Sequence, residues 1–530
     1  MVATGDWLLP RVGGDVYADK PPLYFWLMAL GLSVTQSLRF AFLLPSLLAG
    51  FGCVALVYDL GRRLWNRDTG RLAALALLLT VQFVWQVRQA QIDATLCFWT
   101  TLGLYGLLRH LLLGPHWRWY AVGWAAAGLG VITKGVGFLP LLVLIPYALL
   151  RKAHWTPRPR ICAPVRWWLG PLAFALAASV WLVPMLLAAA SDPSLAAYRD
   201  EILFNQTVNR YAEAWHHREP FWYFLVEVIP WLWLPLTALL PWLVPRWRQA
   251  LRERDLRIAL LLSWVALVVL FFSLSSGKRG VYVLPAVPAL ALACAPWIRE
   301  LATVRAAQRM VFITAAAIGV ICAAGAGYLL VRPDKRVEVI ELYDLDPLGP
   351  LVTIAIGVLA VCALTRARRG AAAFGGTLAV ILLVVSFWVN PVMNAARSGE
   401  AFVARLERSA DPRRELGLVA FKEQYLLNVR RPVVHFGHAR WREAEQEAAD
   451  AALWLSIDPD RQLVVSDTVR SWCFAGAQAR SLGVANRTHW YIVTGATDPA
   501  CVARGRPQPV YHYTPPGARR LAAAGRRARS

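Results

Sequence analysis

Residues 258–275 read IALLLSWVALVVLFFSLS, eighteen positions without a charge. Arg252, Arg254 and Arg257 stand just before this run, and Lys278 and Arg279 just after it. A helix needs about 17–25 mostly apolar residues to cross the hydrocarbon core of a bilayer, so the run predicts a transmembrane span. Working outward, further runs fall at 39–60, 72–87, 94–113, 118–133, 136–150, 167–190, 221–245, 281–297, 310–331, 350–364 and 371–390, twelve in all with the first. The composition agrees: of 530 residues, 57% are hydrophobic and only 17% charged. Soluble domains carry about 25% charged and about 45–50% apolar residues. A soluble multidomain enzyme and a disordered chain are both excluded for most of the length. The 25 Trp suit rings that sit at bilayer interfaces.

The net charge of +23 has an address. Arg62, Arg63, Arg67 and Arg71 follow the first span, and Arg109 and Arg118 come two spans on. Arg151, Lys152, Arg158, Arg160 and Arg166 keep the same phase, as do Arg246–Arg257, Arg299–Arg309 and Arg366–Arg369. Every second loop is basic, which the positive-inside rule assigns to the cytoplasm. The charge therefore speaks for topology, not for nucleic acid. The alternate loops, with conspicuous acids, are then external: the segment up to Leu38, Arg88–Asp93, Thr133–Gly135, Ser191–Pro220, Ser276–Gly280 and Arg332–Gly349.

The tail beyond Asn390 is external in this scheme and much more polar. β-like runs at Pro432–Phe436, Ala452–Ile457, Gln462–Ser466 and Trp490–Val493 predict a small α/β domain over 391–515. A basic, poorly ordered end occupies 516–530. Cys473 and Cys501 are its two cysteines, and an oxidising compartment predicts that they pair. The five cysteines within spans read as small hydrophobes. An external N-terminal segment with no hydrophobic run before it implies a first helix upstream of Met1, absent here. The membrane domain at 1–390 would then have thirteen spans in the full protein.

Ionisable residues beside or within spans are costly and mark function by default. Lys20 stands before Pro21 and Pro22, which keep it out of a helix and suit the start of the one that follows. An ammonium beside a helix N-terminus suits an anion such as phosphate, and snorkelling to lipid headgroups is the plainer alternative. Asp93 lies at the mouth of a span, with Arg88 close enough in sequence to be an ion-pair partner. His216 and His217 precede an aromatic run, Phe221 to Phe224, and more often mark an interface than a metal site. Lys278, Arg279 and Tyr282 place two cations and a phenol at the top of a Pro-containing span, again suited to phosphate. No P-loop or dinucleotide fingerprint occurs, so a nucleotide-driven pump is disfavoured.

Gly5-Asp6-Trp7 and Pro10, then Tyr17-x-x-Lys20-Pro21-Pro22-Leu23, open a series of motifs. Asp93 with Thr95, Thr133-Lys134-Gly135, His217-x-x-Pro220 and Lys278-x-x-x-Tyr282-x-Leu284-Pro285 follow in order. This series resembles the GT-C membrane glycosyltransferases, which include the bacterial aminoarabinose (lipid A) transferases and the dolichyl-phosphate-mannose protein mannosyltransferases. The resemblance implies an α-helical polytopic fold with a periplasmic C-terminal α/β domain, set in the bacterial inner membrane. It implies inverting transfer of an aminoarabinose-like pentose or a hexose from a polyprenyl-phosphate donor to lipid A or another periplasmic acceptor. In that picture Lys20, Tyr17 and Tyr282 hold the donor phosphate, with Lys278 and Arg88 as further cations, and Asp93 acts near sugar or acceptor. No nucleotide or other cofactor is required. Asp19 and His217 resemble positions that can hold a structural divalent metal, although Asp19 stands where relatives often have Glu. The family's main catalytic acid lies on the first external loop, upstream of Gly5, and is expected before Met1. A start codon assigned too late would account for both absences; a genuinely truncated, non-catalytic relative is the alternative. A lipid or solute transporter remains the reading from another class, and it requires charges deep within spans.

Overall fold

The computed structural model describes residues 1–2, 4–155, 164–203, 219–438, 440–507 and 510–516. Among these, eight helices are long and apolar enough to cross a membrane. They are Leu38–Leu64, Ile92–Leu113, Val165–Ser191, Leu256–Leu274, Gly280–Leu301, Arg305–Val331, Leu348–Thr365 and Ala367–Asn394. Phe224–Leu232 and Thr237–Arg252, bent by 98° at their junction, make a ninth if counted as one span. The run at 258–275 is the helix Leu256–Leu274, started by Asp255, whose carboxylate accepts from the Arg257 amide at 2.9 Å.

The remaining expected runs are helical but broken or less apolar. The run at 72–87 divides at Thr80, extended at ψ 120°, into α3 (Arg67–Leu79) and α4 (Val81–Gln86). That at 136–150 begins as a tight 3₁₀ stretch, Val136–Val143, around Pro140, whose ring nitrogen has no hydrogen to donate. That at 118–133 is α6 (Trp117–Lys134). One apolar helix escaped the span count altogether: α1 (Leu23–Thr35) follows the proline pair. At about 1.5 Å per residue it reaches roughly 20 Å, too short to cross.

The chain forms two compact units. The first comprises Met1–Pro10, Ala18–Ala317 and Ala360–Leu378. Within it α2 (Leu38–Leu64), α5 (Ile92–Leu113) and α6 pack closely through small residues. A Cβ on Gly106 of α5 would lie 2.4 Å from the Trp119 carbonyl oxygen and 2.8 Å from Gly123 Cα of α6. Two helices can approach so closely only without side chains at the crossing. Since α5 and α6 are consecutive, a short turn brings the start of one and the end of the other to the same side.

The second unit comprises Arg11–Tyr17, Ile318–Leu359 and Ala379–Ser530. Arg11–Tyr17 holds a small hairpin, β1 (Arg11–Val12) against β2 (Asp15–Val16). The C-terminal region holds a six-stranded sheet of order β6-β7-β5-β3-β4-β8. Its strands are β3 (Glu415–Leu418), β4 (Val433–His435), β5 (Arg461–Ser466), β6 (Gln478–Ala485), β7 (Thr488–Thr494) and β8 (Tyr511–Tyr513). β3 pairs in parallel with both β4 and β5, and the outer pairings are antiparallel. Successive β5 residues enter opposite cores: Val464 joins Phe402, Leu406, Tyr425 and Trp490, while Leu463 and Val465 join Ala448, Ala452 and Leu455. A strand with period two can do this only where both faces are covered.

Three of the four expected β-like runs are strands. Ala452–Ile457 is instead the end of the helix Ala444–Ile457. The alanines and glutamates before it favour helix, and the run's Trp454 and Leu455 face the core from that conformation. Cys473 and Cys501 are joined, as expected, tying the helix Asp467–Cys473 to the helix Pro499–Arg504. Their separation of 28 residues gives the link about 3–4 kcal/mol by chain-entropy reasoning. Cys473→Ser together with Cys501→Ser should lower thermal stability by several degrees, and reductant should do the same to the unaltered protein alone.

Glu447 is fully buried, and its Oε1 accepts from the Ala420 amide at 3.0 Å. Burial pushes its carboxyl up to about 7, against the help of that amide and of Arg440, with Asp450 adding repulsion. Folding thus favours the protonated form: this contribution is intact below the ordinary value of 4.5 and is lost as pH rises through about 7. The full loss corresponds to about 3 kcal/mol. Glu447→Gln keeps the acceptor without the charge. It should melt higher than the unaltered protein at pH 8 and alike at pH 5.

Candidate active site

Lys20 lies half-buried just before α1, where the prolines end the extended segment, and its Nζ donates to the Asp19 carbonyl at 2.8 Å. The preceding Gly5–Pro10 stretch is pinned by indoles. Trp26 Nε1 donates to the Trp7 carbonyl at 2.7 Å, and Trp181 Nε1 to that of Leu8 at 3.1 Å. Asp6 turns the chain locally by accepting from the amides of Leu8 and Leu9.

Asp93 occupies the first turn of α5, and Lys134 the last turn of α6. Each charge suits the helix end it sits on. The Lys134 ammonium donates to the Asp93 carboxylate, with only 17% and 13% of the two side chains exposed. The same ammonium lies 4.6 Å from the centre of the Tyr282 ring, and that ring packs on Phe272. Asp93, Lys134 and Tyr282, from three separate parts of the chain, therefore meet.

Lys278 is 5% exposed and donates to the Glu219 carbonyl at 2.7 Å. Burial pushes its ammonium below the usual lysine range, with the Glu219 charge opposing. The turn that follows is fixed by a residue the motif reading did not single out. Gln82 in α4 is 1% exposed, donates to the Gly280 carbonyl at 2.7 Å and accepts from Trp233 Nε1 at 2.6 Å. An amide inside the apolar run 72–87, one of two with Gln86, was the only signal for it. Arg88 lies partly buried between α4 and α5, and burial pushes its guanidinium below the usual range. Tyr17 belongs to the second unit, where its ring lies 5.3 Å from that of His438.

His217 lies outside the described residues, and so does the rest of 204–218. Among the described residues no three His, Cys, Asp or Glu side chains gather as a metal site would require, and Asp19 joins no such group.

Residues 19–183 match the model of the family described as dolichyl-phosphate-mannose-protein mannosyltransferase. Superposition on the crystal structure of ArnT from Cupriavidus metallidurans bound to undecaprenyl phosphate gives a TM-score of 0.69. It covers 96% of this chain and 93% of that one at 20% identity. The chain has the fold of ArnT. Its sequence is similar to curated relatives over about half of their length. It is 33% identical over 305 residues to the undecaprenyl phosphate-alpha-4-amino-4-deoxy-L-arabinose arabinosyl transferase of Pseudomonas aeruginosa. It is 32% identical over 301 residues to a counterpart from Pseudomonas fluorescens. Each match takes in 55% of this chain and 52% of the relative, so the chain spans about half the length of the curated relatives it matches.

Proposed function

We propose that the chain is an inverting GT-C glycosyltransferase of the bacterial inner membrane. Its donor is a sugar carried on a polyprenyl phosphate, of the undecaprenyl phosphate-aminoarabinose kind. Its acceptor is a phosphate of lipid A or another periplasmic lipid or glycan. The observation that supports this most is the meeting of Asp93, Lys134 and Tyr282 at helix ends, within a fold shared with ArnT. Charges paired at helix ends, with largely apolar spans between, suit chemistry at a membrane surface better than a transport path through its middle.

In this reading an acceptor oxygen bonds to the anomeric carbon as the bond from that carbon to the lipid-phosphate oxygen breaks. The electron pair leaves on the phosphate, so charge grows there as the bond breaks. Lys20, Tyr17 and Tyr282 are the groups proposed to meet that charge, a fixed cation and two phenols. Arg88 and Lys278 supply further positive charge. Asp93, held by Lys134, faces the sugar or acceptor. A phosphate acceptor is already anionic and needs no general base, whereas a hydroxyl acceptor would. The C-terminal domain lies on the periplasmic side, supported by its disulfide and by the alternation of basic loops.

Lipid A from cells with and without the gene, compared by mass spectrometry, tests the reading. Addition of one pentosamine or hexose per modified phosphate is expected. An unchanged lipid A, with no other glycolipid altered, would overturn it.

A further inference from the structure

The hairpin formed by β1 and β2 cannot stand alone. Two strands of two residues are far below what holds together in water. Its turn, Gly13-Gly14, has φ of +61° and +103°, the backbone of a tight hairpin turn that glycine adopts without strain. What holds it is the carboxyl end of β4. The ring of His435, fully buried, has Nε2 3.1 Å from the Gly13 carbonyl oxygen, while its Nδ1 accepts from the Gly437 amide at 3.2 Å. The two bonds together require the neutral ring with its hydrogen on Nε2. A Cβ at Gly13 would lie 2.3 Å from that Nε2, so the contact itself demands glycine.

Beside it, the Asp15 carboxylate accepts from the His438 amide at 3.1 Å and stands 2.9 Å from His438 Nδ1. Both side chains are largely buried, at 18% and 5% exposed. Burial would raise the Asp15 carboxyl, but the His438 ring and amide and the Tyr511 hydroxyl carry it below the usual carboxylate range. Val12 packs into the core of the C-terminal domain, and the Tyr17 ring lies against His438.

We propose that the Asp15–His438 pair is a positioning clamp: the C-terminal domain holds the hairpin so that Tyr17 is set to receive the donor phosphate. This rests on the proposed role of Tyr17 in binding that phosphate. Asp15 and His438 act through that residue and do not touch the reacting atoms. The clamp gives the C-terminal domain a part in the transfer even if it never meets the sugar. It also predicts a specific pattern of coupling, because either partner alone leaves the segment loose.

The test uses the full chain in detergent and undecaprenyl phosphate as the probe. Asp15→Ala and His438→Ala should each weaken undecaprenyl phosphate binding about 10- to 100-fold. The double variant should be no worse than either single one. His438→Asn, which keeps a donor where Nδ1 stands, should recover most of the affinity. Hydrogen exchange provides a second reading that needs no ligand: amides of 11–20 should exchange faster in Asp15→Ala, with β3 and β5 unchanged. Unchanged exchange at 11–20 would overturn the clamp. Faster exchange with unaltered affinity would overturn its positioning role while leaving the transferase reading intact. An unaltered protein that does not bind undecaprenyl phosphate, although its segment loosens in Asp15→Ala, would overturn the donor-site reading and the positioning role resting on it.

Discussion

Lys20→Ala is expected to cut sugar transfer about 1,000-fold while leaving expression and membrane insertion unchanged. Removing one donor that meets developing negative charge costs about 10²–10³ in rate in other enzymes, and a full cation lies at the upper end. The loss should fall mainly on kcat, since the leaving phosphate gains its charge as the bond breaks. Lys20→Arg should recover only part of the rate, because a planar fork does not reproduce a compact ammonium. The side chain is half-buried, and its ammonium donates to the Asp19 carbonyl. A comparison of kcat and KM with purified protein decides the matter. A change confined to KM would assign Lys20 to ground-state binding, and full activity would remove it from the site.

Much of the fold was legible because lipid imposes one-dimensional rules. A charge-free run such as 258–275 has few alternatives to a helix, and the alternation of basic loops orders the spans without any knowledge of packing. What escaped depends on contacts that a linear reading does not contain. α1 is too short to be found by counting spans, and only the proline pair before Leu23 marks its start. Ala452–Ile457 has the apolar density of a strand, yet it continues a helix begun eight residues earlier at Ala444. Thr80 breaks a run that hydropathy treats as continuous. In the site, Asp93 and Tyr282 were readable as motif residues, but what brings them together is Lys134. Its position in a Thr-Lys-Gly turn carried no sign of its partner forty-one residues away. Asp15 and His438 lie 423 residues apart and belong to no motif, so only the folded chain could join them.

The Asp93–Lys134 pair carries the second large effect, and its variants should separate chemistry from folding. Lys134→Met leaves the Asp93 carboxylate largely buried without its partner ammonium, a situation that costs about 3–5 kcal/mol. Little folded protein should accumulate. Asp93→Asn strands a cation instead, but that cation keeps the Tyr282 ring face and sits at the C-terminal end of α6, where positive charge is welcome. The asparagine variant should therefore insert and fold, while transfer falls by at least about 100-fold if the carboxylate faces sugar or acceptor. Combining the two changes removes both charges, and the double variant should fold better than Lys134→Met alone. Thermal unfolding and transfer assays on the three proteins give the answer together. If Asp93→Asn keeps full activity, the pair is a structural tie between α5 and α6. If it folds normally and is inactive, the carboxylate belongs to the chemistry, and Lys134 is the residue that holds it there.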